Sequence, residues 1–149
     1  MGHHISAIIT KQNINQKEAE ILDLPIITEC YATIIPLNSH HCDHWLAALN
    51  ISNEHFSSMV GDSSITHIFA KRLGITKFAI VETEYFGGVG EQCAALYENG
   101  ARLLDPETTN INTALKALGV ERRSGKDEFD TINLGAYRFF DDLFEKYWR

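Results

Sequence analysis

The sequence predicts a single α+β domain spanning residues 1–149, with a mixed or antiparallel sheet of about five strands and helices packed on it. Three observations carry this. Short β-branched runs at residues 5–10, 31–37 and 78–85 alternate with amphipathic segments that begin at capping residues. Asn99-Gly100 separates two apolar runs, and this dipeptide suits the type I′ hairpin turn, which needs positive φ at both central positions. A chain of 149 residues, 44% hydrophobic and 22% charged, can bury one substantial core without disulfides or a structural metal.

Each element follows from local chemistry. Residues 5–10 read as the first strand, and Asn15 with Glu18 form a capping box for a short helix. Leu24-Pro25 breaks the chain before the strand at 31–37, whose Pro36 needs an edge or strand-end position because it has no N–H to donate. Asn38 or Ser39 caps a helix with Trp45, Leu46 and Leu49 at helical spacing, ending near Asn50; residues 51–62 read as a loop. Ser63 or Ser64 caps a helix whose stripe is Ile65, Ile68, Phe69 and Leu73, with Gly74 as its left-handed stop. Strands at 78–85, 92–97 and 101–104 form an antiparallel meander. Thr109 or Asn110 then caps a helix carrying Ile111, Ala114, Leu115 and Leu118, which stops at Gly119. The charged stretch 121–131 reads as a solvated loop. From about Ala136 onward, Phe139, Phe140, Leu143, Phe144 and Tyr147 predict a C-terminal amphipathic helix docked on the domain. The expected core is Phe69, Leu73, Ile80, Leu115, Leu118, Leu143 and Phe144.

Charge narrows the function classes. The net charge is −7, with 4 basic and 7 acidic side chains in residues 1–75 and 9 and 13 in residues 76–149. There is no basic stripe to displace counterions from a phosphate backbone, so nucleic acid is not an expected ligand, whereas a basic protein partner is. Three widely spaced cysteines without a C-x-x-C pair point to reduced thiols and a cytoplasmic location. No signal-peptide pattern and no apolar run near 20 residues occur, so neither secretion nor a membrane span is expected. Residues 1–6 fit a loose N-myristoylation pattern, while His3-His4 would equally fit an expression scar.

The most informative stretch is the run from Val81 to Gln92, where an apolar strand turns acidic and enters a glycine-rich segment. Alternation puts Phe78, Ile80, Glu82, Glu84 and Phe86 on one face and Ala79, Val81, Thr83 and Tyr85 on the other. Glu82 and Glu84, about 7 Å apart at two strand residues, with Glu91 returning on the next strand, can act as general acid and base, hold a hard cation, or simply be solvated. Gly87, Gly88 and Gly90 match no nucleotide-binding signature; they mark a wide turn or a close-approach contact surface with Tyr85 and Phe86 at its shoulder. The candidate binding surface is therefore Glu82, Glu84, Tyr85, Phe86, Gly87, Gly88, Gly90, Glu91 and Gln92. His40 and His44 sit four apart on a predicted helix, a spacing that chelates, but no local pair completes a tetrahedral set, so no metal and no cofactor are expected and these two histidines are the alternative. Cys93, in an apolar strand, reads as an inert thiol.

The residues V-E-T-E-Y-F-G-G-V-G-E-Q at 81–92, I-N-T-A-L-K-A-L-G-V at 111–120 and D-E-F-D at 127–130 together resemble a family of small uncharacterised bacterial proteins, over roughly the C-terminal half of the chain. The resemblance implies a bacterial cytosolic protein and, because that family has no assigned activity, transfers no catalytic residue. In size and charge the chain is also similar to toxin-neutralising immunity proteins. The expected function is non-enzymatic binding of a basic protein partner through residues 82–92. The competing expectation is a hydrolase or metal-dependent enzyme built on Glu82, Glu84 and Glu91, distinguished by whether those carboxylates converge in a pocket or spread over a convex surface.

Overall fold

In the computed structural model, which describes residues 2–86 and 89–148, alternate side chains of the central strands feed two separate cores, one on each face of an antiparallel sheet. Its strands are β1 (His3–Thr10), β2 (Ile27–Glu29), β3 (Ala32–Pro36), β4 (Lys77–Phe86), β5 (Val89–Glu98) and β6 (Ala101–Leu104), in the spatial order β2-β3-β1-β4-β5-β6. Helices α1 (Gln16–Ile21), α2 (Ser39–Ala48) and α3 (Ser64–Leu73) cover one face. There Ile8, Ile80 and Ala95 meet Leu22, Leu46, Ile65 and Phe69. Helices α4 (Ile111–Leu118) and α5 (Glu128–Thr131), with the C-terminal segment, cover the other, where Ile9, Val81 and Leu96 meet Leu115, Leu118 and Phe144. Because the side-chain period of a strand is two, one run such as 78–81 supplies both cores and reads as continuously apolar.

The α+β class and the meander of β4, β5 and β6 follow the sequence. Asn99 and Gly100 both take positive φ, 52° and 82°, at the β5–β6 turn. Asn15, Asn38 and Asn110 each accept a backbone N–H at a helix start, and Gly74 and Gly119 end α3 and α4 in the left-handed region. Glu18 does not close its box; it pairs with Arg72 at 2.8 Å. Pro36 sits opposite Ala7, beyond the end of β2. Since the neighbouring Leu37 N–H donates to Ser6 O on β1, alternation turns the Pro36 nitrogen to the unpaired side, where no donor is required.

Among the described residues the sheet has six strands, in line with the expected sheet of about five; the short β2 turns into β3 through Cys30 and Tyr31, both at positive φ (49° and 66°), without a glycine to signal the turn. Three expectations are corrected. The C-terminal amphipathic helix is replaced by two 3₁₀ segments, Leu134–Ala136 and Asp141–Tyr147, the second broken at Phe144. Its contacts are tertiary: Asn38 Nδ2 donates to Asp141 at 2.9 Å, and Tyr147 OH and Lys146 Nζ both reach Asp23. Of the predicted stripe Phe139, Phe140, Leu143, Phe144 and Tyr147, only Phe140 and Phe144 are then buried, and Leu143, expected in the core, is 51% exposed. The stretch 121–131 is solvated only in its first part. Asp127 caps α5, Asn112 Oδ1 accepts the Phe129 N–H at 2.8 Å, and Glu128 and Thr131 are buried against α4.

His3 and His4 are ladder residues of β1, opposite Tyr85 and Glu84. The His3 ring lies between Thr83 Oγ1 at 2.7 Å and the Leu134 carbonyl at 3.0 Å, tying the sheet to the C-terminal segment.

Candidate functional site

The helices leave one end of their face of the sheet bare. On β1, β4 and β5 the pattern that gives Ile8, Ile80 and Ala95 further along gives His4, Ser6, Glu82, Glu84, Glu91 and Cys93 here. These side chains floor a cleft of about 1000 Å³ walled by the loop 53–63 and the start of α2, with Glu107 and Asp141 at its margins. Six carboxylates line it, those of Asp43, Glu82, Glu84, Glu91, Glu107 and Asp141, and among the described residues no lysine or arginine does.

Glu82 differs from the other five. They are exposed, whereas Glu82 is recessed, with Oε2 accepting the Gly61 N–H at 2.6 Å and the Ser6 hydroxyl at 3.5 Å. Burial raises its pKa, opposed by those two hydrogen bonds. The loop approaches so closely that a Cβ at Gly61 would stand 2.6 Å from Ser6 Oγ and 2.7 Å from Glu82 Oε2, so a larger residue would push both side-chain ends out of their hydrogen-bonded positions. Beside it, burial together with Glu82 and Glu91 pushes the Cys93 thiol up to about 11. That thiol is protonated at neutral pH and is not an activated nucleophile.

The next residue anchors the same loop. Asp62 is fully buried and accepts from Tyr97 OH at 2.6 Å, while its other oxygen meets His67 Nε2 at 2.7 Å. Burial alone would raise its pKa, but the hydrogen bonds from His67 and Tyr97 hold it below the usual aspartate value. Phe56 packs edge-on against His67, and Arg102 donates to the Phe56 carbonyl at 2.6 Å. The cleft wall is thus clamped to β5 and α3.

The predicted binding residues divide. Glu82, Glu84 and Glu91 share the cleft face, and they converge on a concavity rather than a convex surface. Tyr85 and Gln92 project from the opposite face: Gln92 Nε2 donates to Tyr85 OH at 3.2 Å and its Oε1 accepts the Ile111 N–H at 3.0 Å, so both support the start of α4. Phe86 lies opposite Val89 at the hairpin end, 85% and 79% exposed. Gly90 is ladder backbone packed so tightly that a Cβ would collide with the Glu84 carbonyl oxygen. Gly87 and Gly88 lie outside the described residues.

His40 and His44 flank a shallow depression on α2 with Asp43, Lys146 and Tyr147, and among the described residues no group of three or more metal-ligating side chains converges. His41, between them, is instead a core residue. Ser6, Gly61, Asp62, Glu107 and Asp141 also belong to the cleft or its anchor but carry no local signal in the sequence, since each matters only through a partner distant along the chain. No described helix is long and apolar enough to cross a membrane. Compared with known proteins, the chain matches no family model, no curated protein and no solved structure.

Proposed function

We propose that the cleft receives a protruding cationic segment of a protein partner, as a binding module rather than an enzyme. The observation that carries this is the six lining carboxylates with no lysine or arginine among the described lining residues. Like charges gathered on concave walls focus a negative potential, which speeds encounter with a basic partner and repels acidic ones. The exposed Phe86 and Val89 at the hairpin end supply apolar contact area next to the acidic floor. Toxin neutralisation of the immunity-protein kind is one role such a module serves, and three free cysteines suit a reducing, cytoplasmic setting.

The test is charge reversal. With a partner isolated from the native host, Glu84→Lys with Glu91→Lys is expected to slow association at least about tenfold and flatten its salt dependence, both sites being exposed and unimportant to the fold. Unchanged association kinetics would overturn the reading. A second reading, acid–base catalysis, is favoured by two features: Glu82, Glu84 and Glu91 converge on a concavity, the outcome set above for an enzyme, and burial raises the pKa of Glu82 there. Turnover of a small substrate that disappears in Glu82→Gln would establish it instead.

A further inference from the structure

Charge alone does not distinguish the cleft carboxylates, but position does. Glu84, Glu91, Asp43, Glu107 and Asp141 are exposed at the rim and walls, while Glu82 lies recessed in the floor. One of its oxygens is committed: Oε2 takes the Gly61 N–H at 2.6 Å and faces Ser6 Oγ at 3.5 Å. Its other oxygen, Oε1, has no hydrogen-bond partner among the described residues and is not shut away from solvent. Of the groups around Glu82, Cys93 and Ser6 are uncharged, while His4 favours the charged carboxylate and the buried Asp62 opposes it. Cys93 is the cross-strand partner of Glu82, and the buried side chains of Met59 and Leu46 form the cleft wall.

We propose that this recess is a subsite for the ammonium group of one lysine side chain of the partner, with Glu82 Oε1 and Ser6 Oγ as its acceptors and Met59 and Leu46 against its methylene stem. The proposal rests on the cationic-segment reading and adds a residue preference to it. Lysine is favoured over arginine because a guanidinium binds a carboxylate best through two parallel N–H···O bonds, and one Glu82 oxygen is already occupied by the Gly61 amide. An ammonium is a point donor that needs one carboxylate oxygen and can turn a second N–H to the serine hydroxyl. Recessing a carboxylate costs hydration, which an ammonium restores in part, so binding should also lower the proton affinity of Glu82.

Hexalysine and hexaarginine peptides, titrated at matched ionic strength into isotope-labelled full-length protein, separate the possibilities. Tighter binding of hexalysine by several-fold is expected, together with a shift of the Gly61 amide resonance, because its acceptor is the group engaged. Glu82→Gln, which retains an oxygen for the Gly61 N–H, should remove the lysine preference and weaken hexalysine about tenfold, the usual worth of a hydrogen bond to a charged group. Ser6→Ala should weaken it less, and Glu84→Gln should weaken both peptides alike. Equal affinity for the two peptides, or equal losses from Glu82→Gln and Glu84→Gln, would overturn the lysine subsite while leaving the acidic cleft standing. Failure of both peptides to bind would overturn the cleft reading and the subsite with it.

Discussion

At the residue scale, His41 shows how burial sets chemistry. Its Nε2 meets the Leu22 carbonyl at 2.8 Å, its ring packs against Phe69, Phe144 and Tyr147 at 5.0 to 5.4 Å, and Nδ1 is buried without a partner among the described residues. The carbonyl can only accept, so Nε2 carries the proton and Nδ1 is an unsatisfied acceptor. Burial lowers the His41 pKa, and the Leu22 carbonyl and Asp23 only partly offset this. The sign for stability follows. Below an ordinary imidazole pKa of about 6.5 the unfolded chain takes up a proton that the folded chain resists, so stability present above that pH is lost as pH falls, by up to about 1.4 kcal/mol per unit. His41→Gln keeps a donor for Leu22 and removes the titration. Denaturant unfolding at pH 5, 6 and 7 should therefore show a shallower pH dependence in the variant, and parallel curves would mean that His41 takes up its proton as readily in the fold as in the unfolded chain. Glu82 works in the opposite sense, since its raised pKa makes folding more favourable as the group is protonated.

Elements show where pattern suffices and where it does not. Helix α4 has a cap, a stop and a stripe of Ile111, Ala114, Leu115 and Leu118, all buried. Its propensity and its packing agree. Leu115→Ala should cost about 2 to 5 kcal/mol, as in other fully buried sites. The C-terminal segment has an equally apolar sequence, but docking through Asp141, Lys146 and Tyr147 draws it across α2 as 3₁₀ turns, which leave Leu143 half exposed. Leu143→Ala should cost less than about 1 kcal/mol. Unfolding midpoints of the two variants, measured side by side, check both, and comparable losses would place Leu143 in the core after all.

For the whole molecule, the central strands β1, β4 and β5 belong to both cores, and the edges belong to neither fully: β6 is largely exposed and β2 has three residues. Native-state hydrogen exchange should be slowest at amides such as Ile8, Ile80 and Ala95, which open only on global unfolding, and fast across residues 121–126. Protection of β6 equal to that of β4 would contradict a sheet stabilised from its centre.

The class, the meander and the capped helices were legible along the chain, because each is written in neighbours: a period of two or of about 3.6, an Asn before a stripe, a Gly after it. Strand alternation also placed Glu82 and Glu84 on one face, while the register that sets Glu91 opposite Glu84 came from the folded hairpin. That this face is concave, that Glu82 is recessed and its companions exposed, and that Tyr85 and Gln92 serve α4 emerged with the packing. A net charge spread evenly along the chain hides the site. Asp43, Glu107 and Asp141 reach it from elements far apart in sequence, while the lysines and arginines of the described chain fall elsewhere. Such a field depends on distances of a few ångströms through space, and those are set by sheet order and loop anchoring rather than by spacing in the chain.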